Sequence, residues 1–159
     1  MNAVDRVRIA LKEAGHLDTI TGFAAGTRTA TDAAAAIGCT VAQIAKSIVF
    51  RSVDQPVLVL VSGSNRVDLA KVERALGLRV DRADPAWVRE VTGFTIGGVP
   101  PVGHITAPLT LIDQDLLVLE PIWAAAGSPT HVFRTTASAL VTLSNGKPAD
   151  IKQASDRTN

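Results

Sequence analysis

Ser47-Ile48-Val49-Phe50-Arg51-Ser52-Val53-Asp54-Gln55-Pro56-Val57-Leu58-Val59-Leu60-Val61 is the stretch whose reading fixes the fold class. β-Branched and aromatic side chains over Ser47 to Phe50 predict a strand, Ser52 to Gln55 a turn, and Pro56 to Val61 a second strand. An uninterrupted apolar run has no polar face to offer water, so the second strand belongs in the interior. The pair reads as a hairpin with one strand in the core, and the rest of the chain must cover it.

Upstream, Asn2 is placed to cap a helix in which Val4, Val7 and Leu11 share a face, with Gly15 at its end. Thr29 or Thr31 begins an alanine-rich helix that Gly38 stops, and Thr40 with Gln43 forms a capping-box pattern for another short helix. This puts Lys46 where a helix becomes a strand. Downstream, Ser62-Gly63-Ser64-Asn65-Arg66 is a polar loop at the end of the central strand, a place where loops often carry function. Asp68 to Leu76 reads as a helix stopped by Gly77, and Asp84-Pro85 caps a short one over Ala86 to Val91 that ends at Gly93. Pro108 to Ile112 and Leu116 to Leu119 read as strands around Asp113-Gln114-Asp115. Another strand, Thr130 to Phe133, follows the break at Gly127-Ser128-Pro129. Ser138 falls in a last short helix, Val141 to Ile151 in a terminal strand, and the polar tail from Lys152 is expected to be loose. Strands and helices mix without a βαβ rhythm, a repeat or a linker, so a single α+β domain over 1–151 with a tail over 152–159 is expected.

The 159 residues are enough for one substantial core, and the 47% hydrophobic content is that of an ordinary globular chain. With 16 basic against 15 acidic residues the net charge is only +1, so any contact with a polyanion must be local. Aromatic content is 4% with no tyrosine, which argues against a base-stacking platform. The lone Cys39 excludes an internal disulfide, and the charged start from Met1 to Arg8 does not read as a signal peptide; a cytoplasmic, membrane-free protein is expected. His16, His104 and His131 lack ligand spacing and Cys39 lacks a CxxC partner, so no metal is expected. Neither a Walker loop, a dinucleotide fingerprint nor a Gly-x-Ser-x-Gly elbow is present, and no cofactor is expected. A buried structural thiol is the ordinary reading of Cys39.

Gly97-Gly98-Val99-Pro100-Pro101-Val102-Gly103-His104 is denser in backbone-constraining residues than a connection needs. Glycines permit positive φ and close approach, prolines fix φ, and the result is a shaped loop able to bind through its backbone. Lys46 allows two readings: a stem along the core with its ammonium in water, or a fixed cation for a phosphate or a developing oxyanion. The segment from 31 to 45 also admits a helix-turn-helix that reads DNA. Its second helix would be barely two turns without a basic or amide-rich face, so DNA is not the expected partner.

Taken in order, Ala45-Lys46-Ser47-Ile48-Val49-Phe50, Val59-Leu60-Val61-Ser62-Gly63 with Asn65-Arg66-Val67-Asp68, Thr92-Gly93-Phe94 leading into Gly97-Gly98-Val99-Pro100-Pro101, and Gly127-Ser128 resemble the YbaK family. That family includes the free-standing relatives of the editing domain inserted in bacterial prolyl-tRNA synthetases. The resemblance runs from about Thr29 to Ile151. It implies a mixed, mostly antiparallel sheet or partly open barrel flanked by short helices. It also implies a deacylase that hydrolyses the ester of mischarged tRNA, most often tRNA for proline, with the synthetase as a further partner. Carried over residue by residue, the family's essential lysine falls on Lys46 and its Gly-x-x-x-Pro loop on Gly97 to Pro101. Gly97 and Gly98 then join Lys46 as catalytic positions. Thr29, Ser62, Gly63, Arg66, Val99, Pro100, Pro101, His104, Gly127, Ser128 and His131 make up the substrate-binding set. Arg66 has the alternative of pairing with Asp68, which also suits a helix cap. The extended loop through His104 most resembles members that remove small residues such as alanine or 2-aminobutyrate; cysteine, for which the substrate's own thiol serves, stays open as the less favoured substrate. A non-catalytic module that binds tRNA or synthetase is the alternative within the same fold.

Overall fold

A computed structural model describes residues 1–24 and 29–154. The chain opens with α1 (Ala3–Glu13), where Asn2 Oδ1 accepts from the Asp5 amide at 2.8 Å and Val7 and Leu11 are buried. After β1 (Thr21–Gly22), α2 (Ala30–Ile37) is capped by Thr29, whose Oγ1 accepts from the Asp32 amide at 3.1 Å, and is closed by left-handed Gly38. β2 (Ile44–Ser52) and β3 (Gln55–Ser62) form the expected hairpin, paired antiparallel from Ala45↔Ser62 to Ser52↔Gln55. Next come α3 (Leu69–Leu76), β4 (Asp81–Arg82), α4 (Pro85–Thr92), β5 (Leu109–Asp113), β6 (Ile122–Ser128), β7 (His131–Thr135), α5 (Ala137–Ser144) and β8 (Lys147–Ala149).

Three local expectations are corrected. The segment after Thr40 is a single 3-10 turn, Val41–Gln43, and β2 begins at Ile44, so Lys46 lies inside a strand rather than at a helix junction. A recognition helix for DNA is therefore absent from this stretch. Leu116 to Leu119, read as a strand, falls largely in a 3-10 helix, Gln114–Val118: Asp113 Oδ1 accepts from the Asp115 amide at 3.0 Å, and that cap turns the chain helically. The start of the expected terminal strand, Val141 to Ser144, belongs to α5, capped by Thr136, and only Lys147–Ala149 pairs, parallel to β5. Among the expected tail residues, Lys152 bridges to Val67 and the Gln153 amide donates to the Arg66 carbonyl at 2.8 Å. Residues 155–159 lie outside the described set.

Among the described residues the eight strands form one mixed sheet in the order β1-β7-β6-β2-β3-β5-β8, with β4 on the free edge of β2. Pairing is antiparallel at β1–β7, β6–β7, β2–β3 and β2–β4, and parallel at β2–β6, β3–β5 and β5–β8. The sheet stays open rather than closing into a barrel, which decides between the two forms expected. Its centre is β3, whose alternation divides the interior. Leu58 and Leu60 join Val7, Leu11, Phe94, Ile112 and Phe133 on one face, while Val57, Val59 and Val61 join Val72, Val80, Leu111 and Ile151 on the other. All five of these β3 side chains are fully buried.

The feature that makes a site is on the other edge of β2. There β6 pairs only with Ile44 and Ala45, and β4 only with Phe50 and Arg51, so among the described residues no strand covers Lys46 to Val49 on that edge. The sheet parts at its middle, and the parting is the mouth of a cleft.

Candidate active site

The cleft has a volume of about 810 Å³ and is bounded by β2 from Ile44 to Ile48, the loop Gly63 to Arg66, the start of α2, the loop at Ile96, Gly97 and Val99, and the β6–β7 turn. Lys46 supplies its fixed cation. The Lys46 Nζ donates to the Asn65 backbone carbonyl at 2.8 Å, and no ion pair joins the ammonium to a carboxylate among the described residues. Burial pushes the Lys46 pKa down, and the neighbouring Arg66 guanidinium adds to the shift. The ammonium is thus a charge short of solvation and short of a counter-ion, beside an open cavity. An incoming anion, or an oxygen that becomes anionic, is what such a group lacks.

The loop carrying Asn65 is itself built in. Asp113, fully buried at the end of β5, accepts through Oδ2 from the Ser62 amide at 3.1 Å and from Asn65 Nδ2 at 2.8 Å. Asn65 Nδ2 also donates to Asp115 Oδ2 at 2.8 Å, and Lys152 closes on the same oxygen at 2.7 Å. Of these residues the sequence placed only Ser62 in the site; Asn65, Asp113, Asp115 and Lys152 were not expected there. The available signal was a carboxylate ending an apolar strand, which a buried ladder position tolerates only with hydrogen-bond donors around it.

Facing Lys46 is the glycine-proline loop. Gly97 takes φ +96° and lines the cleft with Val99, but Gly98 lies behind it. The Gly98 amide donates to Thr95 O at 3.0 Å and its carbonyl accepts from the Gly127 amide at 3.0 Å, so both backbone groups are consumed in holding the loop. This corrects the expectation that Gly98 grips substrate through its peptide groups. Pro100 and Pro101 are buried beneath the loop and do not line the cleft. His104 is likewise turned inward: its Nε2 lies 2.6 Å from the Pro100 carbonyl, which fixes that nitrogen as the N–H donor, and its ring packs against Phe94. Burial pushes the His104 pKa down, with the Pro100 bond opposing. His104 thus bonds within the loop and does not line the cleft.

Of the other expected residues, Thr29, Gly63, Arg66, Ser128 and His131 line the cleft, whereas Ser62 and Gly127 do not. Ser62 is buried, with Oγ donating to Ala42 O at 2.7 Å. Gly127 packs against the first turn of α1, where a Cβ would stand 2.8 Å from Ala3 O. Ser128 Oγ and His131 Nδ1 are 2.7 Å apart, which ties the two wall residues together. Arg66 is exposed and forms no ion pair with Asp68, whose carboxylate caps α3 through the Ala70 amide at 3.0 Å. Walls not anticipated are Phe23, Ala30 and Ala33 on one side and Trp123 to Ala125 of β6 on another. Among the described residues no group of His, Cys, Asp and Glu is arranged to hold a metal, and no helix is long and apolar enough to cross a membrane.

Lys46 and Gly97 thus line one cleft, with the Lys46 ammonium bonded to the Asn65 carbonyl. A profile of the aminoacyl-tRNA editing domain matches residues 24–143. The chain belongs to the aminoacyl-tRNA editing domain family. Within that family it is 32% identical over 129 residues to the uncharacterized protein YwhH of Bacillus subtilis (strain 168), covering 80% of this chain and 82% of that protein. It is 34% identical over 92 residues to the proline–tRNA ligase of Lactobacillus helveticus (strain DPC 4571), covering 57% of this chain and 16% of the ligase. Among solved structures, a candidate trans-editing enzyme for prolyl tRNA synthetase superposes with a TM-score of 0.90 at 43% identity, over 97% of this chain and 99% of that one. The hypothetical protein APE2540 shares the fold, with a TM-score of 0.85 at 24% identity over 93% of this chain and 99% of that one. The described residues thus carry the α+β fold of that editing domain.

Proposed function

We propose that the protein is a trans-editing deacylase that hydrolyses the ester joining a small non-cognate amino acid to tRNA for proline. Alanine or 2-aminobutyrate are the preferred residues, ahead of cysteine. The observation that carries this reading is Lys46: a cation held at the cleft by the Asn65 carbonyl, without a counter-ion among the described residues, opposite Gly97 and Val99. A terminal phosphate or the oxyanion of a tetrahedral intermediate would complete its solvation. An aminoacyl ester is already activated, so a positioned water, helped by the neighbouring ribose hydroxyl, suffices as nucleophile. Water adds to the ester carbonyl, the carbonyl oxygen becomes the oxyanion, and collapse expels the ribose oxygen, which takes up the proton the water gives.

The demand for such a reaction follows from binding energies. One methylene in an apolar pocket discriminates by only about 1–3 kcal/mol, so a synthetase pocket shaped for proline cannot reject every smaller residue. A second sieve, acting on the released product, removes what the first admits. Substrate of this kind places the protein in the cytoplasm beside prolyl-tRNA synthetase, and no cofactor is needed for the chemistry.

The test is to incubate the protein with tRNA for proline charged in turn with alanine, 2-aminobutyrate, cysteine, serine and proline. Faster release of alanine or 2-aminobutyrate than in buffer, with prolyl-tRNA spared, is the expected result. Tight tRNA binding without hydrolysis of any of the esters would instead support the non-catalytic binding module.

A further inference from the structure

Lysine has a long, flexible side chain, and a cation that must meet a reacting oxygen has to be held within a fraction of an ångström. Around Lys46 that constraint comes from one peptide. The Asn65 carbonyl accepts from Nζ at 2.8 Å, and the same residue's amide donates to Ser62 O at 2.9 Å. Its side chain is clamped between two carboxylates, Asp113 and Asp115, each at 2.8 Å. Asp113 has no exposed surface, and it accepts from three donors: Asn65 Nδ2, the Ser62 amide and the Asp115 amide. The far side of the loop is strapped by the C-terminal segment, where the Gln153 amide bonds to Arg66 O and Lys152 pairs with Asp115.

We propose that Asn65, locked by the buried carboxylate of Asp113, is the positioning residue that sets where the Lys46 ammonium stands in the cleft. The inference rests on the editing reading for its catalytic consequence, but not for its geometric one. A loop of four cleft-lining residues at the end of a strand would ordinarily wander; here its central residue is fixed through backbone and side chain at once. A buried carboxylate spent on neutral donors is a costly way to end a strand, and two of its three bonds, to the Ser62 amide and to Asn65 Nδ2, hold the loop whose Asn65 carbonyl meets Lys46. Asn65 acts through Lys46 and need not touch the substrate.

The test compares wild type with Asn65→Ala and Asp113→Asn, read by the Lys46 ε-group NMR signal and by deacylation of alanyl-tRNA for proline. In Asn65→Ala the Lys46 signal is expected to move toward that of the exposed lysines. The kcat is expected to fall about tenfold to a hundredfold while KM changes less than about threefold, because misplacing a group acts on the transition state. Asp113→Asn sets an amide N–H against either the Asp115 amide or both the Ser62 amide and Asn65 Nδ2, and the weakened clamp is expected to move the Lys46 signal in the same direction. An unchanged Lys46 signal with kcat within about twofold of wild type would overturn the proposal. If Asn65→Ala fails to fold, Asn65→Ser carries the same readouts, and loss of fold in both would assign the pair to the scaffold and equally overturn it. Should wild type cleave none of the esters, the editing reading fails, while the NMR comparison still decides whether Asn65 positions Lys46.

Discussion

Gly98 stands so close to Ser128 that a Cβ on it would lie 2.6 Å from the Ser128 Cα and 2.7 Å from its amide nitrogen. The contact joins the glycine-proline loop to the β6–β7 turn, so the two walls of the cleft share one backbone interface. Both partners at the contact are main chain, which no rotamer change relieves. Gly98→Ala is therefore expected to cost about 1–3 kcal/mol of stability and to displace Gly97 and Val99 from the cleft. Thermal denaturation with and without the variant measures the first part, and activity of the folded fraction the second.

His104 gives the loop a pH dependence of defined sign. Its pKa is lowered in the folded protein because burial disfavours the imidazolium, so the unfolded chain binds more protons than the native one as the pH falls past the ordinary histidine range. The stability that the neutral ring contributes is complete above the unfolded value and is lost as the pH falls toward the folded one. A melting series from pH 8 to pH 5 is expected to show a decline that His104→Gln reduces. An unaltered slope in the variant would assign the decline to other groups.

Arg66 bears on the charge state of Lys46. Burial is the larger cause of the lowered Lys46 pKa and the Arg66 guanidinium the smaller, so Arg66→Gln is expected to raise that pKa partway toward the ordinary lysine value and no further. Titration of the Lys46 ε-group by NMR checks the direction. A fall in pKa, or a full return to the solvent value, would contradict the order of causes.

Asp113 sits under the whole arrangement. Asp113→Ala would leave the Ser62 amide, the Asp115 amide and Asn65 Nδ2 without this acceptor, the first of them fully buried and the other two partly so. An abandoned buried donor costs about 1–3 kcal/mol, so a loss of at least that size in denaturant unfolding is expected. A loss below about 1 kcal/mol would mean that the donors find water.

Much of this architecture is legible in the chain. The core hairpin was readable because Pro56 to Val61 offers no polar face, and the helices because Asn2, Thr29, Asp68 and Asp84 cap them while Gly38, Gly77 and Gly93 end them in left-handed backbone. Leu116 to Leu119 was not, since four apolar residues carry no period and the deciding bond is local, between Asp113 and the Asp115 amide. β6 was missed because Ile122–Ser128 contains Ala124, Ala125, Ala126 and Gly127, residues of weak strand preference whose extended form comes from its neighbours β2 and β7. In the site, Lys46 and Gly97 announced themselves by residue type and order. Asn65 did not, since what it offers Lys46 is a backbone carbonyl, a group every residue has. The inward turn of His104 was equally hidden, because its partner, Pro100 O, is chosen by the loop's path.

The central claim is that Lys46 is the cation on which ester hydrolysis depends. Its most direct measurement is the first-order rate of alanine release from alanyl-tRNA for proline by wild type and by Lys46→Ala, with Lys46→Met as a variant that keeps the stem's packing. Lys46 contributes no ion pair to the fold among the described residues, so both variants should fold. The account predicts rapid release by wild type and a loss of at least about a hundredfold in both variants, the scale on which removal of one oxyanion-stabilising group acts. Release at the wild-type rate by either variant would contradict it.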